Sequence, residues 1–486
     1  MITRPQTKHL NPNIINFGVG FIFIIIGALL ALMISSDDSF YGALAILAPI
    51  VLGVIIIIFS NPYYGILLYL NYIFISNGLT RYVPENNIGL GLNFILLLTT
   101  LSMVVHIKWD DFKKLSQSVF YIAIIWTFYS VLLVVNPLFG RVDSLIYTIK
   151  VISLYAVQLI PLVLLYLNTK KDFNTFLKIL IAWSVITTIW AFKQIIFGTD
   201  FYEQNWLDAG GYISHVLNGQ LRAFSTFSDA NQYGSTMAFV SFVCLILSFG
   251  PYTKIKKYTL FVISIFTFLG CIISGSSASL YIYIIGFLFF FILNKNFKTL
   301  IFGLIFGLII LFFLKFTNIS NMNYQVFNIA TSLAQNDASL MVHSNNQYLA
   351  IKYLENKPFS IGIENFQMFG IKNYSGSFFT NLTSESSFLS IRNQSGIVGL
   401  ILHLIGIIYV LLVGFMKVFR LKSNDLRYKM IAIYGGFIGV IVTSLASPIF
   451  DQTPLGPIMF ICMVYLTTAD ILDIEFVAEE TEAKEI

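Results

Sequence analysis

The chain has 486 residues, of which 57% are hydrophobic and 11% charged, and its mean hydropathy is +0.80. A soluble domain averages about 25% charged residues, so a soluble enzyme or binding module is excluded. The formal charge of +5 is a topology signal, not a nucleic-acid footprint, and no nucleic-acid partner is expected.

A short basic lead, MITRPQTKHLNPN, precedes an apolar run from Ile14 to Ile34. That run is too long for a signal-peptide core, and no small-x-small cleavage site follows, so it reads as an anchor. Further apolar runs lie at 41–59, 62–77, 88–106, 119–135, 144–167, 173–197, 231–250, 257–274, 277–293, 299–315, 396–415, 429–449 and 455–470. A bilayer core needs about 20 apolar residues per helix. The runs are continuously apolar instead of alternating, which selects helices over a barrel. The expected fold is an all-α integral membrane protein, a polytopic bundle of about fourteen transmembrane helices, range about 11–14. Cys244, Cys271 and Cys462 all sit in apolar runs and read as small hydrophobes.

Lysine and arginine placement orients these spans. With a cytoplasmic N-terminus, the short inner loops hold Lys108, Lys113, Lys114, Lys170, Lys171, Lys254, Lys256, Lys257, Lys295, Lys298, Lys417, Arg420, Lys422, Arg427 and Lys429. The short outer loops hold little beyond Arg81 and Arg141. Both termini then face the cytoplasm. The expected divisions are helices in 1–197, a first outer loop in 198–230, central helices in 231–315, a large capping outer loop in 316–395, helices in 396–470 and an acidic tail in 471–486. The tail reads as a solvated end with no catalytic part.

Charges in or beside spans are costly and therefore candidates for function. Lys150 lies about 9 Å below the outer end of its span, at 1.5 Å per residue. Lys193, Arg141, Arg222 and Lys315 lie near the same boundary. Each lysine fits snorkelling to headgroups or convergence on an anionic group such as a phosphate. Arg222 is the strongest of them, because a guanidinium fork matches phosphate oxygens. Asp229 and Asn231 sit where the chain re-enters the apolar region, and a helix cap alone would explain either.

In the longer interval, Tyr348, Ile351 and Leu354 or Tyr353 have helical spacing, and Pro358 stops the pattern. A short surface helix is expected there. Glu385 stands at the mouth of the next span. It fits a general base, a partner for Arg392 or an acid favoured by a helix N-terminus. His343 is the one histidine of that interval, and His403 reads as a hydrogen-bonder within the bundle.

The succession RAFSTFSDANQYG, KPFSIGIENF, ESSFLSIRNQSGIVGL resembles the O-antigen polymerase and O-antigen ligase superfamily. The resemblance covers roughly 219–415, and SGSSASL (274–280) looks like the family's small-residue start of a helix. Ser225 stands where the family often has glycine, and Ala230 where it often has proline. Gly362 alone remains of the glycine pair after Pro358. His343 falls where many relatives have arginine. Glu385 replaces the histidine of the ligase branch and favours the polymerase (Wzy-type) branch.

The resemblance implies a GT-C-like glycosyltransferase in a bacterial inner or plasma membrane, its large loops periplasmic or extracellular. Its substrate would be an undecaprenyl-pyrophosphate-linked oligosaccharide, with membrane lipids and a chain-length regulator protein as further partners. It would build O-antigen, capsule or exopolysaccharide. Arg222, with Lys150 or Lys193 and Arg392, would cradle the pyrophosphate. Asp229, Asn231 and Tyr348 would contact substrate. Glu385 would act as base, with His343 in second place. No Asp-x-Asp pair lies in an outer loop, and Asp110–Asp111 faces inward, so catalysis without metal or cofactor is expected. A ligase, a flippase for the same lipids and a non-catalytic sensor are the alternatives. Two long outer loops and charges near one face argue against a flippase.

Overall fold

The computed structural model describes residues 39–82, 89–135, 154–217, 219–276, 278–294, 348, 351–352, 354–355, 357–360, 386–450 and 452–485. The expected spans at 14–34 and 299–315, Lys150, His343 and Glu385 lie outside the described residues.

The described chain is mostly helical, with one small hairpin. In order come α1 (Ser39–Ser60), α2 (Pro62–Tyr72), α3 (Ser76–Tyr82), α4 (Gly89–His106), α5 (Ser118–Leu132), α6 (Tyr155–Tyr166) and α7 (Lys170–Ile196). Then follow α8 (Phe201–Trp206), α9 (Tyr212–His215), β1 (Val216–Leu217) and β2 (Gln220–Leu221), the two strands pairing antiparallel. The second half comprises α10 (Ala230–Ser248), α11 (Lys254–Ile273), α12 (Leu280–Leu293), α13 (Ser387–Arg420), α14 (Asn424–Thr443), α15 (Leu455–Thr467) and α16 (Ala469–Glu485).

The positions of the apolar runs agree with these helices, but the count does not. Among the described residues, five helices are long and apolar enough to cross a membrane, or up to seven if each of two bent pairs is one span. Four other apolar helices have only 10–17 residues. Hydropathy marks where apolar residues are; it does not mark where a helix breaks. Among the described residues the fold is all-α and membrane-embedded, with fewer full-length spans than the apolar runs there led us to expect.

α10 is the centre of the bundle, since 89% of its apolar window lies inside the protein, against 28% for α11 and α13. It packs against α11, α12 and α14. Small and hydroxyl residues allow this. Ser241 Oγ donates to Ser264 O at 2.6 Å, and Ser264 Oγ returns a bond to Ser241 O at 2.8 Å, clasping α10 to α11. A Cβ on Gly439 of α14 would lie 2.7 Å from Ile282 O of α12, so the two backbones touch at glycine.

The bundle has two polar ends. α7 alone separates them by about 40 Å at 1.5 Å per residue. The loop end gathers the starts of α10 and α13, the ends of α3, α7, α11 and α14, and the hairpin. The tail end holds α16, which corrects the expectation of a solvated tail. Phe476 is fully buried there, with Lys170 Nζ 4.3 Å and Lys429 Nζ 4.8 Å from its ring. Glu475 accepts from Lys170 N at 2.7 Å, Glu479 pairs with Lys170 at 2.6 Å and Asp470 with Lys417 at 2.6 Å. Asp473 accepts from the amides of Lys422 and Ser423, each at 3.0 Å. These acids are engaged by lysines and helix starts, and Leu472 and Phe476 pack inward.

α13 breaks at Gly396, whose φ is +73°. A Cβ there would lie 2.0 Å from Pro358 O. Ser360 Oγ also donates to Asn393 O. The KPFS turn is therefore seated on the break, and two separate parts of the sequence pattern meet. Gly396→Ala meets both a left-handed backbone, costing about 1–3 kcal/mol, and the Pro358 carbonyl. We expect it to destabilise by at least about 2 kcal/mol, measured as thermal unfolding of the purified protein in detergent; an unchanged midpoint would contradict the seating.

Candidate functional site

Between β2 and α10 the chain forms an irregular turn, 222–229, whose interior residues are buried. Ala223, Phe224 and Ser225 are fully buried and Phe227 nearly so. Irregular backbone inside a membrane protein survives only if protein groups satisfy it. Here α3, α7 and α11 do so. Arg81, at the end of α3, donates to Ser225 O at 2.6 Å and to Phe227 O. Gln194 Oε1, from α7, accepts from the amides of Phe224 and Ser225 at 3.2 and 2.8 Å. Ala223 N donates to Ile273 O of α11 at 3.1 Å. Ser225 Oγ donates to Thr187 O at 2.7 Å, and Thr226 Oγ1 to Phe74 O at 2.6 Å.

Arg222 opens this turn. Its Nε donates to Ser274 O at 2.9 Å, Nη1 to Ser214 O at 3.3 Å and Nη2 to Asn231 Oδ1 at 2.6 Å. Neutral oxygens are thus among the groups that hold the guanidinium, and the residue stays half-buried. Asp229 caps α10, accepting from Gln232 N at 2.8 Å, so its cap role is observed directly. The structure thus brings Arg222, Asp229 and Asn231 together at one helix N-terminus, where about half a positive charge from the aligned peptides also favours an anion.

The other candidates are not joined to this group. Lys193 is committed to acids, with Asp200 Oδ2 and Glu203 Oε2 each at 3.0 Å. That ion pairing replaces both snorkelling and a free cradle, and it corrects the assignment of Lys193 to the pyrophosphate. Arg392 is half-buried on the first turns of α13, with no hydrogen bond seen to it among the described residues. Tyr348 is exposed, helical, and has Lys352 Nζ 5.9 Å from its ring. His403 is not the expected hydrogen-bonder at Nε2, which has no partner among the described residues. Its ring lies among Trp126, Phe388 and Phe450, with centroids at 5.2, 6.3 and 5.8 Å.

Several supporting residues were missed by sequence reasoning. Arg81 is 5% exposed and stacks between Trp206 and Phe224, 4.4 Å from each ring. Glu203 is 1% exposed and accepts from Trp190 Nε1, Gln194 Nε2 and Lys193 Nζ at 2.9, 2.7 and 3.0 Å. One signal was readable: Asp200 and Glu203 form a capping box on α8, the D-x-x-E spacing of a helix start. Burial would raise the Asp200 carboxyl, but bonds from the Glu203 amide, Tyr82 and Lys193 outweigh it and hold it below its usual range.

Compared with known proteins, the chain matches no family model, no curated protein and no solved structure. What fold and composition define is a multi-helix membrane-embedded protein with a guanidinium fixed at the mouth of a deeply buried helix.

Glu203→Ala takes the acceptor from four donors, Trp190, Lys193, Gln194 and the Asp200 amide, and should destabilise by about 3 kcal/mol, whereas Glu203→Gln, which still accepts, should lose less; equal losses in chemical denaturation would contradict this. His215 supplies a pH test. It is 3% exposed, flanked by Trp206 and Phe224 at 4.9 and 5.1 Å, and burial lowers its pKa from 6.5 to about 4. The unfolded chain takes up this proton first as pH falls. Stability present above pH 6.5 is therefore lost between 6.5 and about 4. His215→Gln should flatten the fall in thermal midpoint across that window.

Proposed function

We infer that the chain is a polymerase of undecaprenyl-pyrophosphate-linked repeat units for a surface polysaccharide. The buried turn that presents Arg222 beside Asn231 and the start of α10 carries this inference. A leaving pyrophosphate needs a fixed cation and donor groups aimed at its oxygens. Arg222 offers a positive charge fixed in place at the start of α10. Two departures from the resemblance also support its register. Ser225, at the family's glycine position, has φ +51°, the left-handed region that glycine prefers. Ala230, at the proline position, is the first helical residue after the Asp229 cap, where proline is favoured.

In the reaction, an acceptor hydroxyl of one lipid-linked unit attacks the anomeric carbon of another. The new C–O bond forms as the bond to pyrophosphate breaks. The hydroxyl proton passes to a base, for which Glu385 is proposed from sequence with His343 in second place. The negative charge of the lipid pyrophosphate falls on Arg222. In this scheme the loop end faces the outside of a bacterial inner or plasma membrane.

The test is purified protein with lipid-linked repeat units. Polymer formation supports the proposal, transfer to a lipid A core would make the chain a ligase, and neither product would leave transport or sensing. Arg222→Ala should lower chain growth by about 100-fold or more, with insertion into the membrane unchanged. Arg222→Lys should be intermediate, because an ammonium lacks the planar fork. Wild-type polymer length from Arg222→Ala would overturn the cradle.

A further inference from the structure

At the tail end the described residues line a cavity of about 100 Å³ between α6, α15, the start of α16 and the segment that leads into α5. Its floor is apolar and lies inside the protein, with Val163, Leu167 and Leu472 at 0%, 1% and 2% exposure. Two polar residues on its walls bond to their own helices. Asn168 Nδ2 donates to Leu164 O at 3.0 Å, and Thr468 Oγ1 to Val464 O at 2.8 Å. Lys114 and Gln117 also line the cavity and are partly exposed, so they mark its mouth. At about 30 Å³ per water-sized group there is room for about three. Apolar cavities of this order stay dry and take hydrocarbon. A polar, soluble ligand gains nothing from such a floor, whereas a short run of methylenes does.

The mouth lies where a membrane surface passes. Trp109–Leu115 turns 115° away from the end of α4. Along it Trp109 is 87% and Phe112 51% exposed, with ring centroids 5.5 Å apart. Aromatic rings exposed at the end of a span belong at headgroup depth. α5 begins just after Gln117, and Tyr121, Ile125 and Phe128, on one face of it, are each more than half exposed. Lys114 and Gln117 therefore join a headgroup-depth segment to a lipid-facing helix. Lys114 Nζ donates to Asp111 Oδ1 at 2.9 Å. An ammonium has three donors, so this bond holds Lys114 at the mouth without exhausting it.

We propose that this cavity is a phospholipid site in the leaflet at the tail end. The first carbons of one acyl chain fill the floor, and the phosphate meets Lys114 and Gln117. Lys108, Lys113 and Lys114 against Asp110 and Asp111, three charges against two, leave a net +1. That excess favours an anionic headgroup over a zwitterionic one. Ile471 and Leu472 of α16 form part of the wall, so a bound lipid also holds the tail helix in place. The site does not depend on the chemistry at the loop end.

The test is native mass spectrometry of the full chain in mild detergent, titrated with phosphatidylglycerol, phosphatidylcholine or palmitate. One phosphatidylglycerol should bind ahead of all others, about fivefold more tightly than phosphatidylcholine. Palmitate binding equally well would assign the cavity to a free fatty acid and overturn the phospholipid. Lys114→Met should remove the preference between the two phospholipids. Val163→Phe, which fills the floor, should weaken phosphatidylglycerol by at least about tenfold. Phosphatidylglycerol should also slow hydrogen exchange at Ile471 and Leu472 in the wild type and not in Val163→Phe. A folded Val163→Phe that binds as the wild type does, or exchange in α16 that ignores the lipid, would give the cavity to another segment of the chain and overturn the site. If Val163→Phe does not fold, Lys114→Met decides, and unchanged discrimination between the two phospholipids overturns the site.

Discussion

A peptide group buried in a membrane protein has no water to turn to, and in 222–229 the backbone has no helix to supply partners either. Arg81 and Gln194 replace the missing ladder with side chains. Arg81 can be buried because two aromatic rings cover its faces and two carbonyls receive its protons. Gln194 is in turn held by Glu203, which is held by Lys193 and Trp190. The shape of the turn, and so the position of Arg222, rests on this chain of bonds running through α3, α7 and α8. A group that would only have been a loose loop arginine becomes a fixed one.

The rest of the bundle serves that placement. α10 is packed on most sides, so the helix whose start meets Arg222 has little room to shift. The glycine contact of α12 with α14 and the serine clasp of α10 with α11 replace bulky apolar packing with close backbone approach.

Much of this was legible in the sequence, and the limit is set by distance along the chain. Apolar runs located the long apolar helices, because burial in apolar surroundings requires such residues, but not α3, α8, α9 or α16. The Asp229 cap was legible because its partner is three residues away. The break at Gly396 was hidden, since Pro358, which forbids a side chain there, lies in another loop. Lys193 was misassigned because Asp200 and Glu203 reach it only after the chain turns at Gly198, whose φ is +83°. Arg81 looked like an ordinary loop charge, its acceptors being 144 and 146 residues downstream. The tail was misread for the same reason, with Glu475 meeting Lys170 across 305 residues. Composition could show that these carboxylates exist but not what they would face.

That docked tail changes what the lysines mean at different moments in the protein's life. Lys170 and Lys417 precede their acids in the chain, so while the helices are being threaded into a bilayer these cations are uncompensated and can bias which way each segment inserts. Once α16 folds back, Glu479 and Asp470 cancel them. The finished surface therefore draws anionic lipid less strongly than a tally of its basic residues suggests. A charge can thus direct assembly early and be silenced afterwards by the polypeptide's own carboxylates.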